Sequence, residues 1–141
     1  MKILIPVDGT DSASRAVEYV IGSQGWLRET PRILLLNVQW KIATGNVKLF
    51  INQQTIDDYY REQGMAALQQ ARERLDAAGL AYSYHISVGV PADAIVGYAA
   101  EQGVDLIVLG AGGQRTLSSL LLGSVVDKVL HLAAMPVTLI K

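Results

Sequence analysis

Cysteine is absent from the 141 residues, which excludes disulfides, thiolate metal sites and cysteine nucleophiles together. That absence fits a reducing compartment. Charge of one sign is missing as well: 12 basic side chains stand against 13 acidic ones. The basic residues are scattered, with no run of five or more, so the charge pattern gives no support to nucleic-acid binding. Long apolar runs are also lacking. The opening Met1-Lys2-Ile3-Leu4-Ile5 is broken by Pro6-Val7-Asp8, whereas a signal peptide needs a longer apolar core and a cleavage site. No stretch approaches the ~18 apolar residues of a membrane span. The expectation is a cytoplasmic protein with neither a membrane nor a nucleic-acid partner. What is present is apolar: half of the residues, against 18% charged, the balance of a chain that buries a core. Its length suits one domain.

Five short apolar runs alternate with stretches of helical periodicity. Residues 3–7 end at the turn signal Asp8-Gly9, and Thr10, Asp11 and Ser12 are all good helix N-cap types. Ala13, Ala16, Val17 and Val20 then share one helical face, closed between Gly22 and Gly25. Residues 33–38 form the second run. Ile56, Tyr60, Ala67, Leu68, Ala71, Leu75 and Ala78 mark a long helix ending at Gly79. The third strand is read at 82–88, and Pro91 opens a helix whose stripe is Ala94, Ile95, Tyr98 and Ala99. The fourth strand is read at 105–109. The last helix spans 124–132 with Val125, Val129 and Leu132 inward, and the fifth strand is 137–140. A βαβαβαβαβ order without hairpin signals predicts a parallel sheet covered by helices on both faces.

The segment from Gly110 to Ser124 is more than a turn. It starts where an apolar strand stops and carries Gly110, Gly112 and Gly113 within four residues, which lets backbone approach a ligand closely. It ends at Ser124-Val125-Val126-Asp127, which has the spacing of a capping box. Free N–H groups and the positive end of a helix dipole at that point suit a phosphate. A tight connection followed by a capped helix is the plain alternative. The segment is not a Walker loop, because no lysine adjoins Gly123-Ser124, and it is not a dinucleotide fingerprint, because Arg115 stands where the third glycine belongs.

The spacing Gly110-x2-Gly113-x9-Gly123-Ser124 resembles the ATP-binding signature of the universal stress protein family. The likeness runs along the chain: Ile3-Leu4-Ile5-Pro6-Val7-Asp8-Gly9, Gly89-Val90-Pro91, Leu122-Gly123-Ser124-Val125 and Pro136-Val137 are similar to that family's segments. The resemblance implies an open doubly wound five-stranded α/β sheet of order 3-2-1-4-5. It implies bound ATP, with or without Mg²⁺. Gly110, Gly112, Gly113, Gly123 and Ser124 would wrap the ribose and phosphates, with backbone from Val125. Asp8 would face the adenine beside Pro6 and Val7, and Val38 would pack on the base. It also implies a regulatory stress-response role and a homodimer through Val137–Ile140, an apolar edge open to pairing. In that strand order Asp8 and the glycine segment meet at the switch point where open α/β sheets take ligands. The chain departs from the family at Ala111 and Gly112, where members often carry a hydroxyl residue and a histidine or arginine. A charged hydrogen bond is worth roughly 1.5–3 kcal/mol, so binding would rest on backbone donors from Gly113 and Ser124 to Val126 and be roughly ten- to a hundredfold weaker.

Other readings stay open at single residues. Asp8 either orders its own turn or caps the first helix, or it contacts ligand. Asp8-Gly9-Thr10-Asp11-Ser12 has part of the Ser-Gly-Gly-x-Asp-Ser pyrophosphatase loop of AMP-forming ligases, but Val7 and Asp8 replace its first two residues. A stress protein of this fold that holds no nucleotide and works through protein contacts is a further alternative. A receiver domain would need an aspartate after the third strand, where Ile86-Ser87-Val88-Gly89 stands. His85 and His131 are read as surface histidines without metal partners, and no Ser-His-Asp set or carboxylate pair is recognisable, so any ATP hydrolysis would be incidental. Arg115 faces either phosphate or solvent. Trp40, Val47, Leu49, Phe50 and Ile51 make an apolar connection that either clamps a nucleotide, binds a partner or packs on its own domain.

Overall fold

Main-chain pairing in a computed structural model, which describes residues 1–42, 52–112 and 123–141, joins five parallel strands into one sheet. The elements in chain order are β1 (Lys2–Pro6), α1 (Asp11–Gly22), a 3₁₀ turn (Ser23–Trp26), β2 (Arg32–Gln39) and α2 (Gln53–Ala77). They are followed by β3 (Tyr82–Val88), α3 (Pro91–Gln102), β4 (Leu106–Gly110), α4 (Ser124–Leu132) and β5 (Val137–Ile140). The strand order is β3-β2-β1-β4-β5, the doubly wound arrangement that the resemblance implies.

β1, β2 and β4 carry apolar residues on both sides because helices cover both faces, whereas the edge strand β3 exposes Ser83, Tyr84 and His85. Ile3, Ile5, Ile33, Leu35 and Val108 point to the α1 and α2 side, where Ala16, Val17, Leu68 and Leu75 meet them. Leu4, Leu34, Leu36, Ile107 and Leu109 point to the other side, against Ile95 and Ala99 of α3 and Val126 and Val129 of α4. Helices that follow the adjacent strands β1 and β4 therefore lie on opposite faces, and the sheet parts between them at its carboxyl edge.

The parting has a cause in residue 6. The β1–β2 ladder is in register from Lys2↔Arg32 to Pro6↔Leu36, but the β1–β4 ladder registers Ile3↔Leu106 and Leu4↔Ile107 only. The carbonyl of Lys2 accepts from Asp105 on the β4 side, and the amide of Val7 donates to Leu36 on the β2 side. Alternation along the strand puts the nitrogen of residue 6 on the β4 side. Proline has no N–H to give there, so β4 loses its next donor and a crevice opens.

Several boundaries and faces differ from the sequence reading. The fourth strand begins one residue later than position 105 and takes in Gly110; Asp105 stays outside because its carboxylate accepts the main-chain N–H of Lys2 at 2.7 Å. The inward stripe of α4 is Val126 and Val129, whereas Leu132 is 47% exposed. One residue step turns a helix by about 100°, and packing against α3 selects the face that begins at Val126 instead of Val125. Ser124 is the first helical residue rather than a cap: Gly123 is the N-cap, without a side-chain bond, and the first intrahelical bond runs from the amide of Asp127 to the carbonyl of Gly123 at 2.9 Å. No capping box forms. Val47, Leu49, Phe50, Ile51, Gly113 and Arg115 lie outside the described residues.

Candidate functional site

At the carboxyl ends of β1 and β4 the crevice widens into a cleft of about 360 Å³, within the usual range for small-molecule sites. Pro6 at the end of β1 enters it with Val7 and Asp8 just beyond, Val38 from β2, Gly110 at the end of β4 with Gly112 just beyond, and Gly123, Ser124 and Val125 from the start of α4. Nine of the ten residues singled out in the sequence thus border one space; Gly113 is outside the described residues.

The β1 side is held by local polar contacts. Asp8 Oδ1 accepts from the amide of Thr10 at 3.0 Å and from its hydroxyl at 2.6 Å. Thr10, not Asp8, is the N-cap of α1, its Oγ1 accepting from the amide of Ala13 at 3.4 Å. Asp8 therefore orders its own turn, and its carboxylate borders the cleft from there. Gly9 makes the turn possible with φ of +84°, a value that favours glycine.

The β4 side is built on absent side chains. A Cβ at Gly110 would overlap the carbonyl and hydroxyl oxygens of Ser12, so β4 and the first turn of α1 approach each other backbone to backbone. Ser12 is buried, and its Oγ accepts the amide of Gly112 at 3.1 Å. Gly112 has φ of +102°, and a Cβ there would reach to 3.7 Å from the amide nitrogen of Gly123. Gly112 and Gly123 thus meet where the strand ends and α4 begins. The amides of residues 124–126 at that helix start have no intrahelical acceptor, and the helix dipole adds positive potential.

Between these sides the floor is apolar, made by Leu36, Ile95, Leu109 and Val126, with Pro91 beside them. Asp8 is the one charged side chain among the described residues that line the cleft. A carboxylate at one end and a helix N-terminus at the other give the cleft a polarity: a donor-rich, uncharged group fits beside Asp8, and an anion fits at α4. Among the described residues no three His, Asp or Glu side chains converge as metal ligands. Several lining residues are legible in the sequence only in other roles, Ser12 and Pro91 among them. Ser12 reads as a helix-start type and Pro91 as a helix opener, and nothing in the local pattern ties Ser12 to Gly112, 100 positions away.

A parallel sheet of order 3-2-1-4-5 with a ligand-sized cleft at its switch point defines an open doubly wound α/β protein. The model of the universal stress protein family matches residues 1–141, and the chain belongs to that family. It is 31% identical to universal stress protein MJ0531 of Methanocaldococcus jannaschii over 144 residues, covering 99% of this chain and 81% of that one. The solved structure of MJ0577, a universal stress protein of the same organism, superposes with a TM-score of 0.82 at 28% identity, covering 99% of this chain and 94% of that one. A universal stress protein family protein from Arabidopsis thaliana, solved with AMP bound, shares the fold with a TM-score of 0.71 at 22% identity, covering 100% and 91%.

Proposed function

We propose that this chain is a regulatory stress-response protein that holds an adenine nucleotide, ATP by preference, in the cleft and works as a homodimer in the cytoplasm. In this reading residues 1–141 act as one nucleotide-binding domain, and an unidentified protein partner responds to its occupancy. The observation that carries it is the meeting of Gly110, Gly112 and Gly123 with the N-terminus of α4 above an apolar floor. A planar base suits the floor of Leu36 and Ile95 with Val38 in the wall beside it, and Asp8 is an acceptor for an exocyclic amine. Phosphates suit the amides of 124–126. Mg²⁺ would arrive with the phosphates, since the described cleft residues offer it one carboxylate. The AMP held by the Arabidopsis protein of the same fold is in keeping with such an occupant.

A second reading is favoured by one specific observation: no lysine or arginine is among the described lining residues. A member that holds no nucleotide and acts through protein contacts would need none. The two readings part on a direct measurement. Protein purified without added ligand is denatured, and the supernatant is searched by mass spectrometry for adenine nucleotides; nucleotide-free protein is then titrated calorimetrically with ATP, with and without Mg²⁺. Released nucleotide or saturable heat supports the first reading. Neither, at millimolar ATP, rules it out and leaves the second.

A further inference from the structure

Leu36, Val38 and Trp40 stand two residues apart along an extended chain, which places them on one face of the sheet. Exposure climbs along this row. Leu36 is 1% exposed in the floor, Val38 is half-buried in the wall, and Trp40 is 66% exposed at the rim; all three border the cleft. The rim position is fixed from both sides. Gly89 donates its amide to the carbonyl of Gln39 at 2.9 Å, and Ile42 donates its amide to the hydroxyl of Tyr60 on α2 at 2.8 Å. Between these anchors Trp40 carries the largest flat apolar surface at the cleft mouth. The other tryptophan, Trp26, packs edge-to-face on Tyr19 at 6.5 Å. It follows α1, whose 12 residues run back about 18 Å from the carboxyl edge of the sheet. No aromatic ring among the described residues stacks on Trp40.

We propose that Trp40 selects the base of the bound nucleotide, its indole stacking on a purine and discriminating against the smaller face of a pyrimidine. The proposal rests on the nucleotide reading above and deepens it. Every base has a π-face, and aromatic stacking holds bases without hydrogen-bond readout, so the preference arises from overlap area. The apolar row beneath supplies the rest of the slot: a base entering over Val38 meets the indole of a residue whose neighbouring main chain is anchored on both sides. Stacking covers indole surface that the free protein leaves in water, which adds apolar burial to the same step.

The test uses the full chain, freed of nucleotide, with Trp26→Phe so that Trp40 is the sole tryptophan. ATP and CTP are titrated while emission and heat are recorded. The expected result is quenching of Trp40 by ATP and at least about tenfold tighter binding of ATP than of CTP. Trp40→Ala lowers ATP affinity about tenfold and brings the ATP-to-CTP ratio near one; Trp40→Phe keeps most of the preference. An exposed position makes both variants foldable, which circular dichroism verifies. If Trp40→Ala binds ATP as tightly as its parent, or keeps the parent's ratio, the role of Trp40 is overturned while nucleotide binding stands. If the parent itself takes up neither nucleotide, the nucleotide reading falls and takes this proposal with it.

Discussion

The side-chain amide of Asn37 donates to the main-chain carbonyl of Val7 at 2.8 Å. Asn37 is 2% exposed, and its Oδ1 accepts in turn from Nε2 of Gln39 at 2.6 Å. The amide of Val7 is also engaged, by the carbonyl of Leu36. Both main-chain groups of Val7, the buried residue just past β1, are thus bound to β2, although the ladder on the β4 side has ended. This bond lets the chain leave the sheet at Asp8 without an unpaired polar group inside the core.

Replacing Asn37 by leucine removes the donor and strands the Val7 carbonyl in an apolar setting. The expected loss is about 1–3 kcal/mol of folding stability, read as a lower urea midpoint at unchanged slope. An unchanged midpoint would mean that water takes over the carbonyl.

Gly110→Ala is expected to cost about 3 kcal/mol, because its methyl group overlaps backbone and hydroxyl of Ser12. Gly123→Ala is the contrast: its methyl group comes no closer than 4.0 Å to Gly112, and its φ of −57° suits any residue. Its expected effect is within about 0.5 kcal/mol. Thermal or urea unfolding of both variants measures the difference.

Alkaline stability follows from Tyr82. Burial raises its phenol above the ordinary value near 10, opposed by a hydrogen bond from Arg72 and reinforced by Asp76. Tyr98 is raised as well, by burial and then by the charge of Glu101. Raised folded values mean that the native state keeps protons which the unfolded chain releases. The stabilisation is therefore complete below about pH 10 and is lost as pH rises through the folded values. The urea midpoint should fall as pH rises above about 10, and Tyr82→Phe should fall less steeply.

The proposed dimer edge has a defined outward row. Carbonyls of Pro136 and Ile140 accept from Ile107 and Ala111 of the β4 segment, so residues 137 and 139 turn their amides away from the sheet. Leu139→Pro removes one of those outward donors and no bond to β4, a change that edge strands tolerate. Sedimentation equilibrium should then report a monomer with the far-ultraviolet spectrum retained. Leu139→Ala, which trims packing and keeps the amide, should stay dimeric.

Much of this fold was legible because buried parallel strands are written as unbroken apolar runs, as at residues 33–36 and 107–109. Strand order was not: no local pattern says that β1 lies beside β4, and it entered through the likeness of Gly110, Gly113, Gly123 and Ser124 to a known signature. Single-residue errors came from competition that a linear pattern does not carry. Ser124 has the chemistry of a cap, yet Gly123 holds the extended backbone of the N-cap position, so Ser124 starts the helix where 124–132 was read and only its capping role is lost. Leu132 fits the periodic stripe, yet α3 contacts the neighbouring face. Ser12 escaped because its partner is the amide of Gly112, a bond that exists only once β4 is laid against α1.

The cleft owes its shape to atoms that four residues do not have: the amide hydrogen of Pro6 and the side chains of Gly110, Gly112 and Gly123. Alanine at any of the three glycines adds a methyl group rather than deleting one, and alanine at Pro6 restores the missing amide hydrogen. An alanine scan of this site is consequently a filling experiment, in which a damaged variant marks where space is required and an undamaged one marks spare room. Conventional trimming would register Asp8, Thr10 and Val38 and pass over the part of the cleft where an anion fits.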